Sequence, residues 1–234
     1  MTLEEINYSD GELPLKGMLA RPGGSPRATV AVFPTIHNIT PRVAEKAKLL
    51  AKEGYAALVM DFYGEEVTEA NPGPPLSEKL RAENSVFRHR LHSGLKALRK
   101  LEPDLPMLAI GFCMGGRAVL ELARDGADLV AVASFHGLLD TEFPAAAGAI
   151  NARILVCQGD KDPLVPREQV FKFMEEMDEA EADWHLHIYS AAKHGFTDPA
   201  NDAKNIDAVG YDASADQQSW DAMLHFFNES LSAA

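Results

Sequence analysis

Apolar positions along this chain follow two rhythms that alternate from one end to the other. Dominantly apolar runs occur at 29–34 (TVAVFP), 56–61 (AALVMD), 107–111 (MLAIG), 129–135 (LVAVASF) and 153–159 (RILVCQG). A strand without a polar face is buried on both sides, as in a parallel sheet covered by helices. Between these runs the apolar spacing becomes helical. Val43, Ala47, Leu50 and Ala51 share one face of 41–53, and Gly54 closes that helix. Phe87, Leu91, Leu95 and Leu98 predict one long helix over 77–101, after a Gly-, Pro- and acid-rich loop at 63–75. Further helices are expected at 114–125, 166–177 and 215–231, the last aligning Trp220, Met223, Leu224, Phe227 and Leu231. Short strands at 2–8 and 14–21 flank an SDGE turn as a hairpin, and DWHLHIY at 183–189 is the last strand. The pattern predicts an α/β fold: a doubly wound, mostly parallel sheet with helices on both faces, occupying 1–234 as a single domain without linker, repeat or low-complexity tract.

Composition narrows the partners. A chain of 234 residues, 46% hydrophobic and 24% charged, is enough for one full core. Its 22 Lys and Arg stand against 35 Asp and Glu, a net charge of −13, which disfavours phosphate backbones and anionic membrane surfaces. No nucleic-acid or membrane partner is therefore expected. Two cysteines, Cys113 and Cys157, make no disulfide framework and suit a reducing compartment. The N-terminus lacks the basic and apolar regions of a signal peptide, and no run approaches a membrane span, so a cytoplasmic location is expected. With no G-x-G-x-x-G, P-loop or H-E-x-x-H, no cofactor or metal is expected. His185 and His187 share a strand face, but nothing nearby completes a metal set, so that face reads as solvated.

The chemistry is carried by LAIGFCMGGR at 108–117. An apolar run meets a helical stretch at Cys113, with Gly111 and Gly115 two residues to either side. This is the spacing of a strand-to-helix nucleophile elbow with a thiol in the nucleophile's place. A helix N-terminus favours a thiolate, and its first N–H groups point where an oxyanion would form. In open α/β sheets functional groups gather beyond the C-terminal ends of strands. After 153–159 comes GDKDPLVP, placing Asp162 in a turn closed by Pro163 and Pro166, with Asp160 as its competitor. After 183–189 comes SAAKHGF, placing His194 in a Gly-containing loop. The order Cys, Asp, His is that of α/β-hydrolase triads: His194 as base, Asp162 as its orienter, Cys113 as nucleophile. The expected oxyanion donors are the N–H groups of Met114 and Ile36, the latter in the loop PTIHNITP at 34–41. His37 and Asn38 in that loop and His136 at the end of 129–135 are candidates to border the pocket, which the loops at 63–76 and 138–150 shape.

Taken together, GFCMGG at 111–116, GDKDPLVP at 159–166, KHGF at 193–196 and YDASADQQSWDAMLHFF at 211–227 resemble the dienelactone hydrolase family over almost the whole chain. The resemblance implies an α/β-hydrolase fold and a cofactor-free hydrolase, monomer or homodimer, that opens small esters or enol lactones through an acyl-enzyme on Cys113. Thr35, His37, Tyr63, His136 and Phe196 are the expected substrate-lining residues. Members acting on carboxylate-bearing dienelactones typically carry a Glu where this chain has Thr35. They also carry an Arg four residues past the catalytic His, where this chain has Asp198. A neutral ester or lactone is the substrate these departures imply, unless another basic residue such as Arg81 takes over. The alternative is a non-catalytic relative that uses Cys113 for ligand binding or redox sensing.

Overall fold

A hairpin opens the chain: β1 (Glu4–Asp10) pairs antiparallel with β2 (Leu13–Ala20), and Gly11 in the turn takes a positive φ of 59°. The computed structural model describes residues 2–233, which gather into two compact units, one ending at Ala109 and one starting at Ile110. In the first, β2 pairs antiparallel with β4 (Tyr55–Val59), and β4 pairs parallel with β3 (Ala28–Phe33). Every residue of β3 and β4 is buried, as unbroken apolar runs require. Between them α1 (Pro41–Lys52) starts where Thr40 Oγ1 accepts from Val43 N–H, with Pro41 preset for the first turn, and ends before Gly54.

The single helix expected over 77–101 is instead two helices, α2 (Gly73–Arg81) and α3 (Asn84–Leu101), with Glu83 in an extended conformation between them. Nothing from Arg81 to Val86 is buried, so the axis can turn there without giving up core contacts. The start also moves: Gly73, Pro74 and Pro75, expected in the loop, form the first turn of α2, where proline's missing N–H costs nothing. The expected strand at 56–61 likewise ends early, at Val59.

β5 (Met107–Phe112) begins at the end of the first unit, and the second unit continues with α4 (Met114–Arg124), β6 (Ala131–Phe135), β7 (Arg153–Gly159), α5 (Arg167–Glu179) and β8 (Trp184–Tyr189). A 3₁₀ turn (Pro199–Lys204) and α6 (Ala213–Ala233) complete the chain. β6, β7 and β8 pair in parallel. The eight-stranded sheet has the order β1-β2-β4-β3-β5-β6-β7-β8 and is mostly parallel, the expected α/β architecture. β8, at an edge, leaves His185 and His187 exposed.

A buried cation fixes α4 to α5. Arg124 bonds Glu121 at 3.0 Å, Glu176 at 2.7 Å and the Leu139 carbonyl at 2.7 Å. Both of its carboxylate partners and its carbonyl acceptor are in place, as a buried guanidinium requires. Among the described residues no helix is long and apolar enough to cross a membrane.

Candidate active site

β5 delivers Cys113 at φ 55° and ψ −113°, a conformation that side-chain-bearing residues avoid. The surroundings hold it there. Cys113 N–H donates to the Phe135 carbonyl at 3.1 Å and to His136 Nδ1 at 3.2 Å, while its carbonyl accepts from Arg117 N–H in the first turn of α4. Two close approaches explain the glycines. A β-carbon on Gly111 would lie 1.8 Å from the Gly115 carbonyl oxygen, and one on Gly116 would lie 2.6 Å from the Gly137 Cα. The sulfur thus sits at the positive end of α4, which favours thiolate. Cys113 is partly exposed. Cys157 is fully buried beside Tyr189, and burial pushes its thiol up to about 12, so it is inert at neutral pH.

Asp162 lies in the turn after β7 and is 3% exposed. Its Oδ2 accepts from His194 Nδ1 at 2.8 Å and from Gln158 Nε2 at 2.9 Å, and its Oδ1 from Leu164 N–H at 2.9 Å. Three donors make a buried carboxylate tolerable. The competing Asp160 is taken by Arg167, which clasps both its oxygens at 2.7 and 2.8 Å and holds its carboxyl below the usual range. Of the two aspartates, Asp162, the one preferred from the turn, is the one that meets His194, while Asp160 is paired with Arg167.

His194 is held by backbone on both sides: its N–H donates to the Ala208 carbonyl and its carbonyl accepts from Gly210 N–H. Gly195 follows at φ 69°, and Asn201 Nδ2 ties its carbonyl at 2.7 Å. With Nδ1 on Asp162, the other nitrogen, Nε2, is buried and meets no hydrogen-bond partner among the described residues. Burial, the largest single influence, pushes the imidazole's pKa down. The Asp162 carboxylate and the nearby Cys113 sulfur outweigh it and raise the value to about 10.

His136 is buried, with Nδ1 facing the Cys113 amide and Nε2 2.9 Å from Thr197 Oγ1. Phe196 is wholly buried, its ring 5.2 Å from that of His136 and 5.6 Å from that of Tyr189. Both support the site from inside the second unit. In the first unit, the loop after β3 is locally braced. His37 N–H donates to Thr35 Oγ1 and Asn38 N–H to the Thr35 carbonyl, while Tyr63 hydroxyl donates to the Ile36 carbonyl. Ile36 N–H alone of these amides meets no acceptor among the described residues. Asp198 caps its own turn by accepting from Ala200 N–H, and Arg81 Nε is spent on the Ser77 carbonyl.

Sequence reasoning missed Gln158 and Thr197. A glutamine ending an otherwise apolar strand four residues before Asp162 was the available signal for the first; Thr197, 61 residues from its imidazole partner, offered none. Among the described residues, no group of three or more His, Cys, Asp or Glu side chains is placed to hold a metal ion.

The sequence model of the dienelactone hydrolase family matches residues 15–231. A Bradyrhizobium sp protein designated a probable 2-oxo-3-(5-oxofuran-2-ylidene)propanoate lactonase is 31% identical over 223 residues, covering 88% of this chain and 86% of its own. Among solved structures, one titled m3DLH is similar with a TM-score of 0.91 and 36% identity over 98% of each chain. Another, a dienelactone hydrolase-like promiscuous phosphotriesterase, P91, from metagenomic libraries, has a TM-score of 0.89 and 34% identity, covering 97% of this chain and 98% of its own.

Proposed function

The chain belongs to the dienelactone hydrolase family, and from that premise we propose that it is a cysteine-dependent hydrolase of small neutral esters or lactones. The observation that carries this reading is the state of His194: one nitrogen bound to a buried carboxylate, the other buried without a partner, and the Cys113 sulfur close enough to favour its protonated form. A ligand-binding or redox-sensing cysteine has no use for an imidazole oriented in this way.

In the resting pair the proton is on His194 and the sulfur is a thiolate. The thiolate attacks the substrate carbonyl, forming a C–S bond as the carbonyl electrons move onto oxygen. That oxyanion is received by Met114 N–H at the start of α4; in the loop after β3, Ile36 N–H is the amide left unspent while its neighbours are engaged by Thr35. Collapse breaks the bond to the alcohol oxygen, which takes the proton from His194. Neutral His194 then draws a proton from water as it attacks the thioester. Expulsion of the thiolate releases the acid and restores the ion pair. Asp162 keeps Nδ1–H turned inward, so that Nε2 is the nitrogen that exchanges protons.

Neutral substrates are proposed because Asp198 stands where the resemblance calls for an arginine, and Arg81 is engaged within its own helix. Thr35, His37 and Tyr63 are proposed to line the substrate space.

The test is a panel of neutral p-nitrophenyl esters, neutral lactones, a carboxylate-bearing lactone and a neutral phosphotriester, the last because of what P91 is titled. Hydrolysis of neutral members with an acyl adduct on Cys113 by intact mass, both lost in Cys113→Ala, is the expected result. Unchanged turnover in Cys113→Ala would overturn the mechanism. Sulfenic acid on Cys113 under mild oxidant, with no acyl adduct from any substrate, would favour the sensing alternative.

A further inference from the structure

A second imidazole stands against the nucleophile corner, and the reaction above does not use it. His136, at the end of β6, is 2% exposed and takes a positive φ of 40°, which a non-glycine residue keeps only under restraint. Its own N–H donates to the Cys157 carbonyl at 2.9 Å. Its Nδ1 accepts from Cys113 N–H at 3.2 Å, so in the neutral ring the proton belongs on Nε2, which lies 2.9 Å from Thr197 Oγ1. The ring also packs edge-on against His194, centroids 5.3 Å apart at 70°.

This one side chain therefore touches both halves of the catalytic pair. On one side it holds the amide of the strained cysteine. On the other it holds the hydroxyl of a residue three positions after His194 and braces the His194 ring itself. Asp162 fixes how the His194 imidazole is rotated, yet among the described residues none of its hydrogen bonds reaches the corner that carries the sulfur. The gap that a proton must cross, from Nε2 to the reacting atoms, is set by where two separate loops lie. A shift of about 1 Å in such a gap costs about a hundredfold in rate.

We propose that His136 is a positioning residue that ties the Cys113 corner to the His194 loop, accepting from Cys113 N–H on Nδ1 and donating from Nε2–H to Thr197 Oγ1. The role rests on the hydrolase reading, but its consequences for Cys113 can be measured without a substrate. Thr197→Val removes the hydroxyl at nearly constant volume, whereas Thr197→Ser keeps it. His136→Asn puts an amide oxygen about where Nδ1 stands, tolerates positive φ, and gives up the link to Thr197.

The experiment measures kcat and KM on whichever ester the wild type hydrolyses, the rate of Cys113 alkylation by iodoacetamide, and the thermal midpoint, for wild type and these three variants. Thr197→Val is expected to lower kcat about tenfold, the equivalent of one well-placed hydrogen bond, with KM within about twofold. It should also slow alkylation several-fold, and Thr197→Ser should recover most of both losses. His136→Asn should match Thr197→Val in both kcat and alkylation rate, because each cuts the link to Thr197 and each leaves the Cys113 amide an acceptor. In ¹⁵N spectra the neutral His136 ring should carry its proton on Nε2.

Equal kcat and alkylation rates in Thr197→Val and wild type would overturn the tie. So would a Thr197→Ser variant as impaired as Thr197→Val, or a neutral ring protonated on Nδ1. If the wild type turns over no ester, the hydrolase reading fails, while the alkylation and tautomer measurements still decide the role of His136.

Discussion

Gln158 and His194 donate to the same oxygen of Asp162: Nε2 of the glutamine lies 2.9 Å from Oδ2 and Nδ1 of the histidine 2.8 Å from it. The glutamine's own carbonyl, Oε1, is buried and unpartnered among the described residues. The amide is therefore kept for its donor alone, at the expense of an unsatisfied acceptor. Gln158→Met removes both. The unsatisfied oxygen disappears while Asp162 loses one of three donors, so the net cost in stability should be small, about 1 kcal/mol in urea unfolding. The larger effect is on catalysis, because the carboxylate becomes free to turn about its Leu164 contact: kcat should fall about threefold to tenfold at nearly constant KM. A variant that loses stability and keeps its kcat would make Gln158 a purely structural residue.

The raised pKa of His194 makes a prediction about Cys113. A histidine whose pKa is raised to about 10 holds its proton through neutral pH, and in the proposed pair its partner is the thiolate. Alkylation of Cys113 by iodoacetamide should then be nearly flat between about pH 6 and about pH 8, falling only in acid where the pair takes up a further proton. In His194→Gln the rate should instead climb with pH as an ordinary thiol of pKa about 8.5 does. Cys157, at about 12 and fully buried, should remain unmodified in both, which peptide mass mapping checks. A wild-type rate rising about tenfold per pH unit through neutrality would rule out the resting ion pair.

The strands were legible because burial on both faces leaves no polar positions to interrupt them, as in β3 and β4. The break between α2 and α3 was not. Leu80 and Phe87 stand two helical turns apart, so their spacing remains in phase across the exposed residues 81–86, and periodicity reports which way side chains face rather than whether the helix is continuous. At the proposed site, glycine spacing and strand ends singled out Cys113, Asp162 and His194, and the last two are in contact. Asp162 was preferred over Asp160 because Pro163 and Pro166 close its turn, whereas the pairing of Asp160 with Arg167 is one that no motif announces. His136 was visible as a strand-end histidine, but its task is set by Cys113 N–H and by Thr197, 23 and 61 residues away. Contacts over such separations leave no period or spacing in the chain.

Asp61 and Asn38 brace the loop that carries Ile36. Asp61 Oδ1 accepts from Asn38 Nδ2 at 2.8 Å and from the amides of Tyr63 and Gly64, and Oδ2 accepts from Lys16 N–H. Asn38 returns a bond, its Oδ1 accepting from Phe62 N–H at 3.1 Å, and it does so at φ 58°. Asn38→Ala strips two buried hydrogen bonds and puts a less tolerant residue at positive φ. A loss of about 2–3 kcal/mol is expected in urea unfolding. Asn38→Gly should lose nearly as much, because it relaxes the backbone but restores neither bond. Recovery of most of the stability in the glycine variant would place the cost in the backbone instead.

The contact between Gly116 and Gly137 sets how closely α4 can approach the end of β6. A β-carbon on Gly116 would lie 2.6 Å from Gly137 Cα and 2.7 Å from Ser134 Oγ, and one on Gly137 would lie 2.4 Å from that hydroxyl and 2.7 Å from the Gly116 carbonyl carbon. Ser134 Oγ can swing away; the backbone atoms cannot move without displacing α4. Gly116→Ala should therefore push the helix off β6, at a cost of about 1–3 kcal/mol for an overpacked interior. Because Cys113 N–H bonds both Phe135, the last residue of that strand, and His136 just after it, the same shift should lengthen the bonds that hold the strained corner. Alkylation of Cys113 should slow in Gly116→Ala beyond what the loss of folded protein explains, at temperatures well below its thermal midpoint. Replacing Ser134 by alanine in that background relieves only the soft contact and should recover little of either loss. Full recovery in the double variant would assign the clash to the hydroxyl rather than to the approach of the two backbones.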